Sequence, residues 1–356
     1  MAVLAPARTR PWTTVACLVL VVAAAATWAA RGGAFAAGVA EPPFYATRLT
    51  DTDHAGAALS ILTAATLVAV GLLLVRAPLW LWLPLATADG LVARAGLNIE
   101  RQGTFEWAWT FQRSAESRTE VRAALPFVRD DPAAFLRGYA HWGAWLPVHA
   151  SGHPPGATLA SWAVNRLTDG TAPAEAKFVI LAGCLAIPAT YLLGRALLDE
   201  RGARFATLAA AFAPITLVES VTSWDGVYVV PATLAAALAL RSATGRALGG
   251  AMTALGSFLS YALPLTTLWA CITLALRREW RRAALAAGAA TVATAVFLVV
   301  LHLLTGYDPV ASFQQTQAAY LRGISSRRPY AYWLVADLLV LAIVLGPLLT
   351  LSLIHI

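Results

Sequence analysis

Uncharged apolar runs recur along the chain at 11–30, 56–75, 177–196, 205–222, 227–241, 283–304 and 331–351. Most approach the ~20 residues with which a helix rising 1.5 Å per residue crosses a hydrocarbon core of ~30 Å. Segment 78–93 is apolar and Trp-rich but carries Asp89, which makes it a weaker span. The first run is long and lacks a following cleavage site, so it reads as an anchor and not a removable signal peptide. Two stretches break the alternation. Residues 155–168 would reach only ~21 Å as a helix, which predicts a re-entrant or half-crossing element. Residues 247–276 are long for one pass and are interrupted by Ser260-Tyr261-Ala262-Leu263-Pro264. Two half-helices meeting at that break fit, with a single kinked span as the alternative. The pattern predicts an all-α fold, a polytopic transmembrane helix bundle with re-entrant or broken helices.

Composition agrees, with 59% apolar and only 13% charged residues against roughly a quarter charged in soluble domains. The net charge of +7 contains no basic run long enough for nucleic acid. It sorts instead into short loops. Arg8 and Arg10, Arg76, Arg195, Arg201 and Arg204, Arg241 and Arg246, and Arg277, Arg278, Arg281 and Arg282 mark cytoplasmic ends by the positive-inside rule. The N-terminus is then cytoplasmic, and segments 31–55, 94–155, 219–226 and 305–330 face outward. Cys17, Cys184 and Cys271 all lie in apolar stretches, which excludes a disulfide framework or Cys-rich metal site and suits small apolar fillers.

The outer segment 94–155 is too rich in chemistry for a connector. Trp107, Trp109, Phe111, Phe127, Phe135 and Tyr139 suggest short amphipathic helices in the interface. His149 and His153 are four apart, a spacing that suits a metal on a helix, but Ser151-Gly152 and Pro154-Pro155 argue against a helix there. Pro154-Pro155-Gly156 predicts a rigid turn feeding a short helix at 157, with the His153 ring toward the outer cavity or bonded to backbone. Asp225, in the loop ESVTSWDG, is a candidate polar group or an N-cap. The last outer segment offers Tyr307, Asp308, Gln314, Arg322, Arg327 and Arg328. Paired arginines on the outer side point to an anionic partner, a lipid phosphate or bulk headgroups, since a guanidinium fork suits phosphate. Asp337 is an intramembrane carboxylate. Walker, GxGxxG, GxSxG, HExxH and CxxC elements are lacking.

The order of these motifs resembles the C-superfamily of polytopic glycosyltransferases, the protein-mannosyltransferase-like and aminoarabinose-transferase-like enzymes, in their actinobacterial integral-membrane branch. The similarity covers residues 94–350 and is strongest at HASGHPPGATL, SWDGVYVVPATLAAALAL and YDPVASF…RRPYAYW. It implies transfer of a sugar from a polyprenyl-phosphate donor to a lipid, glycan or protein acceptor at the outer face of the cell membrane. An outer-loop carboxylate would act as base or hold the acceptor and sometimes a divalent cation. Glu100, Glu120, Asp130 and Asp131 compete for that role. His153, Arg327 and Arg328 would hold the donor phosphate, and His149, Asp225, Tyr307 and Asp308 would line the substrate site. A transporter or flippase of a lipid-linked anion, or a non-catalytic membrane subunit, are the alternatives.

The expected organisation is N-terminal spans (1–93), an outer loop (94–155) and a transmembrane glycosyltransferase-like core (156–350). The last six residues, LSLIHI (351–356), match a translated library adapter and read as an artefact on a truncated frame.

Overall fold

A computed structural model describes residues 11–34, 75–102, 108–112, 116–219 and 221–355, with isolated positions between 58 and 69. Most of the 56–75 run, and Trp107, lie outside the described residues. Every regular element among the described residues is helical. The helices of eight residues or more are α1 (Pro11–Arg31), α2 (Leu79–Gln102), α3 (Pro132–Trp142), α4 (Gly156–Leu167), α5 (Ala172–Cys184), α6 (Ala186–Leu197), α7 (Glu200–Ala211), α8 (Trp224–Ala239), α9 (Ala243–Leu259), α10 (Pro264–Leu276), α11 (Trp280–Thr305), α12 (Pro309–Arg322) and α13 (Tyr330–His355).

Two stretches are long and apolar enough to cross a membrane, 172–197 with mean hydropathy 1.8 and 280–305 with mean hydropathy 2.3. Among the described residues, the other predicted runs form shorter apolar helices or break. The 177–196 run is α5 and α6 meeting at Leu185. The 205–222 run does not continue as one helix, because α7 stops at Ala211 ahead of Pro214 and a π-helical turn, Ile215–Glu219, follows. Helix α13 is interrupted by a kink at Gly346, where φ is 76°. The Ser260–Leu263 break between α9 and α10, and the 12-residue α4, fall where the Pro and Gly signals place them.

The chain divides into two units. The first holds residues 1–49, 213–215 and 321–356. Within it α1 packs on α13, with Ala30, Tyr332 and Ala336 buried and Thr27 Oγ1 3.2 Å from the Tyr332 hydroxyl.

The second holds residues 50–212 and 216–320. Its starts are locally written: Thr171, Asp199, Ser223 and Ser242 each accept a backbone N–H of the helix that follows. Its centre is a close stack of α8, α9 and α11 made possible by small residues. A Cβ on Gly250 would lie 2.6 Å from the Ala289 carbonyl oxygen, the backbone approach that small residues permit between helices. Helix α2 runs past the 78–93 segment and carries Asp89, Arg94 and Asn98 into the interior, where Thr66 donates to Asp89 at 2.7 Å, Arg94 lies 3.7 Å from the Cys184 sulfur and Asn98 bonds Thr222.

Candidate functional site

The site grows from the Pro147–Gly156 stretch. Pro147 and Thr119 carbonyls accept from the Ser151 and His149 backbone N–H groups at 2.8 and 2.9 Å. With these bonds Val148–Gly152 closes a helical turn that the Ser-Gly pair does not prevent. A helix therefore forms where Ser151-Gly152 and Pro154-Pro155 argue against one, although it spans only five residues. His153 ends it in extended conformation, and Pro155 opens α4 at φ −64°. Gly156 lies so close to the Phe258 carbonyl that any Cβ would collide with it. The His-Pro-Pro-Gly turn is thereby pressed onto the C-terminal end of α9.

His153 consequently packs inward. Its ring lies 5.4 Å from the Tyr228 ring at 47°, and its Nδ1 is buried without a hydrogen-bond partner. Burial holds the imidazole below its ordinary pKa, with His149 adding to the effect, while Asp225 and the Leu259 carbonyl oppose it. Ser223, not Asp225, is the N-cap of α8 and accepts from the Asp225 backbone N–H at 3.1 Å. The Asp225 carboxylate, freed from the capping role, is exposed and lies within electrostatic reach of His153. The Tyr228 hydroxyl is buried and unpartnered, within electrostatic reach of Asp225, Glu120 and Glu175.

Beneath this cluster sits a carboxylate that the apolar pattern concealed. Glu175 is fully buried, and both its oxygens are engaged. Oε2 accepts from Arg122 at 2.6 Å and Asn165 at 2.9 Å, and Oε1 accepts from Ser161 at 2.5 Å and Trp224 Nε1 at 2.8 Å. Arg122 continues to the Gly170 carbonyl at 2.8 Å. The hub ties the Arg122 stretch, α4, α5 and α8 together, so it positions His153 and Asp225 and has no lone pair left for chemistry.

The other expected residues are distributed as follows. Glu120 is buried beside the Tyr228 cluster. Asp130 makes an exposed ion pair with Arg166 at 3.2 Å, and Asp131 caps α3 through Ala134 N at 2.8 Å. Glu100 lies near the end of α2, its side chain outside the described residues. Tyr307 is buried, and Asp308 caps α12, accepting from Val310 and Ala311 N–H at 2.9 Å each. Arg327 is exposed in the first unit, where the Arg328 guanidinium stacks 4.9 Å from the Trp333 ring. Among the described residues, no three His, Cys, Asp or Glu side chains converge as a cage for a divalent cation. Comparison with family models, curated proteins and solved structures returns no match.

Proposed function

We propose that the chain is a multi-pass membrane glycosyltransferase that moves a sugar from a polyprenyl-phosphate donor to a hydroxyl acceptor at the outer face. The observation that carries this reading is the buried, unpartnered Nδ1 of His153 within electrostatic reach of the exposed Asp225 carboxylate. Membrane residence is supported by the two long apolar stretches and by the outward row Leu285, Val292, Val296, Val299, Leu303 and Leu304 on α11. So broad an apolar face is unusual for a helix exposed to water.

In this reading the acceptor oxygen attacks the anomeric carbon and its proton passes to Asp225. The bond from the anomeric carbon to the phosphate oxygen breaks, and the electron pair leaves with the phosphate. His153 donates a hydrogen bond to that oxygen. Asp130 and Asp131, committed to an ion pair and a cap, are assigned no catalytic part.

The test is transfer from a radiolabelled polyprenyl-phosphate sugar in membranes. His153→Ala and Asp225→Asn are expected to lose about 10²–10⁴-fold in rate, while Asp130→Asn keeps near-wild-type transfer. Equal transfer by all variants overturns the site, and donor translocation without transfer overturns the enzyme reading in favour of a flippase.

A further inference from the structure

The α8–α9 and α10–α11 turns lie side by side, away from the residues that the transfer step uses. Arg282 donates to the Leu240 and Arg241 carbonyls at 2.6 and 3.0 Å, and Arg241 donates to the Leu192 carbonyl of α6 at 3.1 Å. The turns read LRSATGR (240–246) and RREWRR (277–282), in which Glu279 is the sole acid. Glu279 is taken by Arg282. Arg241, Arg277, Arg278 and Arg281 are exposed, and among the described residues none of them pairs with a carboxylate.

Two of these arginines stand where local structure disfavours them. Arg278 closes α10 in the left-handed region at φ 62°, its N–H donating to the Ala275 carbonyl at 2.8 Å, a position that glycine fills at no steric cost. Arg281 lies in the first turn of the 26-residue α11, which carries no acid and no side-chain cap, so the positive end of the helix repels it. The positive-inside rule needs only charge, in any conformation. Cations crowded against each other and against a helix dipole are relieved by an anion.

The adjoining surface shows what carries that anion. Trp280 and Leu276, beside the arginines, are 67% and 81% exposed. Arg281 heads a stripe of α11 on which Leu285, Val292, Val296, Val299 and Leu303 follow at helical spacing, all exposed. Gly288 leaves a notch in it, with nothing within 4 Å of an added Cβ. From Leu285 to Leu303 the stripe runs ~27 Å, nearly the depth of a hydrocarbon core. Cationic charge at one end of a continuous apolar stripe complements an amphiphile of opposite charge, whereas a water-soluble anion leaves the stripe bare.

We infer that the α10–α11 turn is a docking surface for an anionic phospholipid, with the phosphodiester on Arg277, Arg278 and Arg281 and the chains along the α11 stripe. The inference takes membrane residence from the proposed function and nothing from the transfer step.

The experiment uses the full chain in dodecyl maltoside micelles, with dioleoyl phosphatidylglycerol, dioleoyl phosphatidylcholine and the tail-less headgroup glycerophosphoglycerol as probes. Native mass spectrometry is expected to retain phosphatidylglycerol at least tenfold better than phosphatidylcholine, and glycerophosphoglycerol not at all. Replacing Arg277, Arg278 and Arg281 together by Gln is expected to weaken phosphatidylglycerol binding about a hundredfold. Arg278→Gly is expected to weaken it about fivefold while the lipid-free Tm holds or rises, which separates lost docking from lost folding. Val292→Asn is expected to weaken the whole lipid with every arginine in place. Equal retention of the two lipids, binding undiminished in the triple variant, glycerophosphoglycerol binding as tightly as the whole lipid, or a second copy of the chain seated on the stripe in lipid-free dimers overturns the docking surface. Sugar transfer by a wild type that shows no preference for phosphatidylglycerol overturns only this inference, whereas phosphatidylglycerol docking without sugar transfer overturns only the glycosyltransferase reading.

Discussion

Both oxygens of Glu175 are taken by four donors at 2.5 to 2.9 Å, and the Arg122 guanidinium beside it is largely buried. Glu175→Gln keeps the volume but turns an acceptor into a donor facing Arg122 and leaves that cation uncompensated. A loss of about 3 kcal/mol is expected, read as a lower Tm with collapse of transfer that no donor concentration restores. His153 behaves differently, because its charge is disfavoured in the folded state. Its folded pKa lies below the ordinary 6.5, so the unfolded chain takes up the proton first. Stability contributed by the neutral imidazole is complete above about pH 6.5, falls as the pH drops below that value, and levels off beneath the folded pKa. Thermal unfolding between about pH 7 and pH 5 is expected to show this slope, and His153→Gln to flatten it. Asp225→Asn removes an opposing negative charge and is expected to steepen it.

Helix contacts are set by which glycines have a neighbour. Gly250 on α9 stands against the Ala289 backbone, whereas Gly288, one residue before that contact on α11, has nothing within 4 Å of an added Cβ. Gly250→Ala is therefore expected to force the helices apart at a cost of about 1–3 kcal/mol. Gly288→Ala gains up to about 1 kcal/mol from helix propensity. Denaturant titration of the two variants separates a packing constraint from a propensity effect. The element breaks at Pro155 and Ser260–Pro264 were legible because proline and glycine act locally. The extent of α2 was not, because Arg94 and Asn98 fall in the segment read as a loop although tertiary partners bury them. Glu175 was equally hidden, since its partners lie 10 to 53 residues away and no short window contains them.

The sidedness that the positive-inside rule assigns to the arginine loops is an expectation testable without reference to any activity. In a background with Cys17, Cys184 and Cys271 replaced, Asp130→Cys is expected to react with an impermeant maleimide on intact cells. Arg278→Cys is expected to react only after permeabilisation, and the opposite pattern reverses the orientation. His153 and Asp225 lie in the polar segments 94–155 and 219–226, whereas Tyr228, the ring that His153 packs on, belongs to a helix that periodicity marks only as apolar. The Glu175 hub also has a consequence for biogenesis. Arg122 precedes Glu175 by 53 residues and Trp224 follows it by 49, so the ribosome delivers the last donor several seconds after the first at roughly 5–20 residues per second. Until α8 arrives, the carboxylate lacks one of its partners and the His153 turn has no Tyr228 to rest on. The stretch from Arg122 to His153 therefore matures only after that later helix emerges, and a chain stalled before it would present an unfinished loop to quality-control proteases.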